Sequence, residues 1–190
     1  MYESIADPYC YPGTTVLKNL ANIRNHAALE DFEHEAALQR SEEPFPAGRL
    51  SVSQYKALHH HLFQDVYPWA GKFRTVRISK GSSVFCYPEN IRWEMQRLFK
   101  ELRKSNFLKE LERDAFACKA AHFLAELNAI HPFREGNGRA QLAFFAMLAG
   151  KAAYPIDMEK LNPEEMMQAM IGSFGGEETT LGKVIGKLID

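Results

Sequence analysis

Nine consecutive residues, His131 to Arg139, join two apolar stretches that both have helical spacing. The first stretch carries apolar residues three or four positions apart: Phe116, Ala120, Phe123, Leu124 and Leu127. The second stretch, from about Arg139 to Leu148, is apolar on nearly every side. A helix that is apolar all round belongs in a protein interior. The pattern therefore predicts two buried helices joined by a polar turn at the centre of the fold.

The other patterns predict a mainly α-helical chain with one small β-hairpin. Further helices are expected near Val16, after a cap at Ser51 or Ser53, after Pro88, near Asn162 and around Leu181, and Asp114 is expected to cap the first of the two core helices. Residues 73 to 86 resemble two short strands around a glycine-containing turn. We expect one domain with an N-terminal helical region (1–50), a hairpin (73–88), the core helix–turn–helix (114–150) and C-terminal helices (160–190).

Composition and charge restrict the function classes. The chain has 190 residues and a formal net charge of -1, so no overall basic field would attract nucleic acid or anionic lipid. Its three cysteines, Cys10, Cys86 and Cys118, lack metal-ligand spacing, which is typical of free thiols in a reducing compartment. Neither a secretory signal nor an apolar segment of about 20 residues is visible. We therefore expect a cytoplasmic protein that binds neither nucleic acid nor a membrane directly.

The side chains of the polar turn suit chemistry on a bound phosphate. His131 has an ordinary pKa of ~6.5 and can accept a proton at neutral pH. Glu135 can bind a hard cation such as Mg2+, which commonly accompanies phosphate oxygens. Gly136 and Gly138 allow close approach of the backbone, whose N–H groups open the next helix and attract an anion.

Two more residues complete this arrangement. Asn137 tolerates unusual backbone angles and can donate from its amide, and Arg139 can bind phosphate oxygens through two N–H groups. Together the groups describe phosphoryl or nucleotidyl transfer, with a base, a metal-bound polyphosphate and positive charge near the transferring phosphorus. The alternative is a structural glycine-rich turn that contains His and Arg by chance. The presence of His, Glu and Arg around Gly-Asn-Gly favours the catalytic interpretation.

These residues match the first nine positions of the signature of Fic-domain proteins (filamentation induced by cAMP), H-x-F-x-[D/E]-G-N-G-R-x-x-R. Three further segments resemble the family in the right order: Asp7–Asn19, Leu62–Gly71 and Arg74–Gly81. The first of them resembles the entry of bacterial Fic toxins of the FicT and VbhT type. The chain is therefore similar to Fic-domain protein adenylyltransferases over most of its length.

The resemblance implies a Fic fold, which is a compact helical bundle with a helix–loop–helix active site and a hairpin flap. It also implies transfer of AMP from ATP to a Tyr, Ser or Thr hydroxyl of a target protein, with His131 as the base and Glu135 holding Mg2+. The phosphates would lie on four consecutive residues: Gly136, Asn137, Gly138 and Arg139. The flap, about residues 75 to 86, would dock the target by strand addition, with Lys80 and Gly81 near the nucleotide.

The chain departs from the signature at Leu142, where the family has its final arginine. That arginine holds the γ-phosphate in the family, and losing one charge-assisted contact removes roughly 1.5–3 kcal/mol of interaction. Several interpretations stay open. The chain is an adenylyltransferase of full or reduced activity, a degenerate Fic protein that acts as a binding module, or a Fic enzyme that uses another nucleotide or phosphoryl donor.

Fic toxins are often restrained by an inhibitory glutamate in a [S/T]-x-x-x-E-[G/N] helix. Ser173 and Glu177 have that spacing, but two glycines lie between them and Glu178 fails the final position. We expect a loop before the last helix instead. The resemblance then implies a toxin of a toxin–antitoxin pair, restrained by a separate small antitoxin that supplies the glutamate. It also suggests type II topoisomerase subunits as targets.

The run His59-His60-His61 resembles a metal site only superficially. Consecutive helical residues point about 100° apart, so the three imidazoles cannot bind one ion together. The sequence favours a mixture of helix surface and packing at these positions.

Overall fold

The computed structural model describes residues 7–80 and 83–189. Seven α-helices occur in this part of the chain: α1 (His26–Ser41), α2 (Val52–Phe63), α3 (Pro88–Lys104), α4 (Arg113–Ile130), α5 (Asn137–Lys151), α6 (Pro163–Phe174) and α7 (Thr179–Leu188). Two short strands, β1 (Ser79–Lys80) and β2 (Ser83–Val84), pair antiparallel. The mainly α-helical class predicted from the sequence is confirmed. None of the described helices combines the length and apolar character needed to cross a bilayer.

Several helices begin where the sequence predicts, because side-chain oxygens accept otherwise unpaired N–H groups of the first turn. Ser51, rather than Ser53, caps α2 by accepting from the N–H of Gln54. Asn162 caps α6 in the same way. The expected cap at Asp114 is wrong, since α4 begins at Arg113 and places Asp114 inside its first turn. A carboxylate there still interacts favourably with the positive end of the helix dipole.

The expected start of the first helix near Val16 is wrong, because α1 begins only at His26. Before it, the chain doubles back through an isolated antiparallel bridge between Cys10 and Leu17. Val16 and Leu17 are buried in this irregular segment, whereas Leu20 is 57% exposed. The apolar spacing therefore reflects contacts of an extended segment rather than one face of a helix.

Two apolar clusters form the core. The main cluster surrounds α4, which packs against α3, α5, α6 and α7. A smaller cluster lies beneath α1 and α2 and includes Leu29, Phe63, Val66 and Trp69. The polar turn between α4 and α5 contributes Phe133 to the main cluster, where this side chain is fully buried against Tyr55. Phe133 therefore anchors the turn to the core.

Candidate active site

His131 is placed by the end of α4 and by the hairpin. It adopts a left-handed backbone conformation (φ 46°, ψ 63°) as the C-terminal cap of α4, and its N–H donates to the carbonyl of Leu127. Its ring stacks on Phe85, with ring centroids 3.9 Å apart. Phe85 directly follows β2, so the imidazole that could accept a proton packs against the C-terminal end of the predicted flap.

Arg74 ties the same turn to both sides of the hairpin. Its side chain is 2% exposed, and its Nε donates to the carbonyl of His131 at 2.8 Å. Nη2 donates to the carbonyls of Ile130 (3.2 Å) and Cys86 (2.6 Å), and Nη1 donates to that of Val76 (2.7 Å). The carbonyls of Ile130 and His131 end α4, where the helix dipole is negative and favours a cation. Burial lowers the pKa of this guanidinium.

Asn137 closes the turn with its side chain. Its Oδ1 accepts from the N–H of Phe133, and its Nδ2 donates to the carbonyl of Phe133, both at 2.9 Å. The side chain is 2% exposed. The amide expected to donate to phosphate is therefore used within the loop, and Asn137 can meet a ligand only through its backbone.

The Glu135–Gly136 peptide is held from beneath by His59 of α2. Nε2 of His59 lies 2.9 Å from the carbonyl oxygen of Glu135, and Nδ1 accepts from the N–H of Gly71 at 2.9 Å. Outside the core, Oε1 of the exposed Glu135 accepts from the N–H of Gly136 at 3.0 Å. A carboxylate thus lies where a bound anion would meet this N–H.

The N-terminus of α5 supplies further donors. The first intrahelical bond runs from the N–H of Ala140 to the carbonyl of Gly136, so the N–H groups of residues 137–139 have no acceptor within the helix. Gly138 is exposed, and a Cβ at this position would meet no atom within 4 Å. Together with the helix dipole, these groups can bind an anion.

Arg139 faces an acidic partner that the sequence did not reveal. Its guanidinium forms an ion pair with Glu33 of α1 and lies 4.7 Å from the ring centroid of Phe63. Glu33 is buried and also accepts from the hydroxyl of Tyr67. Burial and the carboxylate of Glu33 raise the pKa of Tyr67, so its hydroxyl stays protonated and donates. Arg139, Glu33 and Tyr67 border a cavity of about 410 Å³.

Glu135 borders the same cavity and is a suitable ligand for a hard cation. Within the described ranges, no three His, Cys, Asp or Glu side chains gather closely enough to hold a metal ion. Mg2+ is commonly held by one or two carboxylates together with substrate phosphates. A single carboxylate beside donors for phosphate fits that pattern.

Leu142 lies one turn beyond Arg139 on α5. It is half-buried and packs against the main cluster. The site therefore has an apolar side chain where the family signature places a second guanidinium.

The segment that partly matches the inhibitory motif has a local role in the structure. Ser173 and Phe174 belong to the end of α6, and the expected loop begins at Gly175. Glu177 accepts from the N–H groups of Thr179 and Thr180 at the start of α7. Its carboxylate is therefore used as a helix cap.

Of the two flap residues expected near the nucleotide, Lys80 lies in β1, and Gly81 lies outside the described residues. The three cysteines are free thiols. Among the consecutive histidines, His59 is fully buried, His60 is exposed, and His61 lies 2.8 Å from the carbonyl of Arg40.

Comparison with known proteins supports the resemblance to Fic-domain proteins. The Fic/DOC family model matches residues 49–149. The chain is 49% identical to "Probable protein adenylyltransferase y4lH" of Sinorhizobium fredii over 189 residues, which cover 99% of this chain and 98% of that protein. It is 38% identical to "Protein adenylyltransferase VbhT" of Bartonella schoenbuchensis, covering 97% of this chain and 39% of VbhT.

A solved structure shares the fold. The BepC protein of Bartonella tribocorum, crystallised with bound AMPPNP, matches with a TM-score of 0.87 at 25% identity, over 96% of each chain. The Fic fold expected from the signature is thereby confirmed. The chain belongs to the Fic/DOC family.

Proposed function

We propose that this protein is a protein adenylyltransferase, which transfers AMP from ATP to a hydroxyl of a target protein. The observation that carries the proposal is the position of His131. Its ring lies against Phe85 at the base of the hairpin, and the turn that follows it opens into the N-terminus of α5. The relatives above are named as a probable protein adenylyltransferase and a protein adenylyltransferase, and the BepC structure holds an ATP analogue.

The residues divide the chemistry between them. The target's hydroxyl oxygen attacks the α-phosphorus of ATP, its proton passes to His131, and the bond to pyrophosphate breaks. The N–H groups of residues 136–139 and the guanidinium of Arg139 stabilise negative charge on the phosphates. Glu135 would hold Mg2+, which supplies further positive charge to the phosphates when bound.

The hairpin is the proposed docking site for the target. Within the described part of the chain its two strands pair only with each other, so an extended segment of another protein can add to an edge. Lys80 and Gly81 would then lie near the nucleotide. A type II topoisomerase subunit as target, a small antitoxin that supplies an inhibitory glutamate, and a cytoplasmic location remain proposals that rest on the family resemblance.

A second candidate function is a Fic protein with weak or no transferase activity that acts as a binding module. The half-buried Leu142 in place of a guanidinium favours it. If the native chain is impaired, Leu142→Arg raises label transfer at least tenfold, since one charge-assisted contact corresponds to about that factor. Unchanged transfer by this variant argues for an enzyme that works without a second arginine.

Incubation of the protein with labelled ATP, Mg2+ and a bacterial lysate tests the leading proposal. Wild type labels at least one lysate protein, and His131→Ala loses the labelling, since a missing general base costs about 100-fold or more. His122→Ala is the matched control, because it removes an exposed imidazole from α4, the helix that His131 caps. Equal labelling by wild type and His131→Ala overturns the proposal.

A further inference from the structure

His59 of α2 lies wholly in the core, and its hydrogen bonds define its chemical form. A backbone N–H can only donate, so Nδ1 of His59 must accept from Gly71. A backbone carbonyl can only accept, so Nε2 must carry the proton and donate to Glu135. The ring is therefore neutral and a single tautomer. Burial lowers its pKa to about 3, in agreement with this form.

The bond to Glu135 also determines where the next N–H points. In a trans peptide the carbonyl and the N–H point in opposite directions, and the described chain contains no cis peptide. His59 draws the carbonyl of Glu135 into the core, so the N–H of Gly136 points outward. There it meets the carboxylate of Glu135, an anionic group.

Packing holds this peptide in place on both sides. The ring of His59 lies 3.7 Å from that of Phe133 and 4.7 Å from that of Phe63, measured between centroids. Phe63 in turn lies against Gly136, where a Cβ would approach its ring to 2.4 Å. The peptide therefore has little freedom to turn over.

We propose that His59 is a positioning residue for nucleotide binding, which aims the N–H of Gly136 at the phosphates of the nucleotide. The assignment rests on the proposed function. In the ligand-free protein the carboxylate of Glu135 meets this N–H, and a phosphate oxygen takes its place when the nucleotide binds. His59 does not touch the nucleotide, because the ring is fully buried beneath the loop.

Two substitutions of His59 test its two hydrogen bonds separately, because each substitution can keep only one of them. An Asn amide reaches the position of Nδ1 and can keep the bond to Gly71, whereas a Gln amide reaches the position of Nε2 and can keep the bond to Glu135. We expect His59→Asn to weaken ATP binding about tenfold, the equivalent of one hydrogen bond, and His59→Gln to stay within about threefold of wild type. His60→Gln, on the exposed neighbour, is the matched control and leaves ATP affinity unchanged.

Calorimetric titration with ATP and Mg2+ measures these affinities, and nitrogen NMR of the wild-type imidazole reports its tautomer without any variant. Equal ATP affinity in His59→Asn and His59→Gln, or a ring protonated at Nδ1, overturns the assignment. Binding with the expected difference but no transfer of AMP contradicts the adenylyltransferase and still supports the role of His59. A wild type that binds no ATP overturns both.

Discussion

At the scale of single residues, Gly136 is held by two constraints at once. Its backbone has a φ of 78°, and a Cβ would lie 2.4 Å from the ring of Phe63. We expect Gly136→Ala to lower the free energy of unfolding by roughly 3 kcal/mol, from backbone strain and overpacking together. Urea denaturation measures the change.

Gly138 provides the control for this prediction, since it lies two residues away in the same turn, with no atom within 4 Å of its Cβ position. Gly138→Ala should change stability by less than about 1 kcal/mol, because alanine suits a helix at least as well as glycine. Equal losses in the two variants would show that Phe63 does not constrain the turn.

His59 makes the stability of the protein depend on pH. Its pKa is about 3 in the folded chain, against an ordinary value of 6.5 for histidine. Between these values the unfolded chain binds a proton that the folded chain does not, so stability falls as the pH decreases. We expect the titration of His59 to lower the free energy of unfolding by about 2 kcal/mol as the pH decreases from 7 to 5.

Urea denaturation of wild type and His59→Gln at both pH values checks this expectation. The stability difference between the two proteins should shrink by about 2 kcal/mol at the lower pH, because glutamine does not titrate. His60→Gln should follow the wild type. Parallel losses in wild type and His59→Gln would mean that His59 titrates normally.

At the scale of elements, Arg74 joins the hairpin to the end of α4. Lysine keeps the charge but presents one ammonium, which cannot reach carbonyls on both sides of the guanidinium. We expect Arg74→Lys to lower the free energy of unfolding by about 2–3 kcal/mol, since buried carbonyls lose their donors. Arg77→Lys, on an exposed arginine three residues further on, should cost less than about 0.5 kcal/mol.

Thermal unfolding of both variants measures this difference, and hydrogen exchange at the N–H of Cys86 locates it. This N–H donates to the carbonyl of Ala129 and links the hairpin to α4. Faster exchange there in Arg74→Lys, and not in Arg77→Lys, is the expected result. Similar exchange in the two variants would mean that Arg74 does not hold the hairpin.

The elements that local chemistry determines could be predicted from the sequence. Ser51 and Asn162 are recognisable caps, and Pro88 occupies the first position of α3. The segment before α1 could not be predicted, because Leu17, Leu20 and Ile23 are three positions apart and so have the spacing of a helix face. Asn22 has a φ of 55°, which interrupts any helix there. The presence of an asparagine does not by itself indicate this conformation.

At the scale of the whole molecule, the site lies where the two apolar clusters meet. The signature residues could be named from the sequence because they are contiguous. Their partners could not, because folding brings them from distant segments: Glu33 from α1, His59 from α2 and Arg74 from the base of the hairpin. Arg74 and Arg77 belong to one basic run, and nothing in that run distinguishes the buried arginine from the exposed one.

The destination of the α-phosphorus is the most direct test of the proposed activity. The protein is incubated with Mg2+ and a bacterial lysate, in parallel with ATP labelled at the α-phosphorus and ATP labelled at the γ-phosphorus. We predict that the protein-bound label added beyond a lysate without the protein comes only from the α-position and disappears in His131→Ala. Added label from the γ-position, or none from either position with the wild-type protein, would contradict AMP transfer by this site.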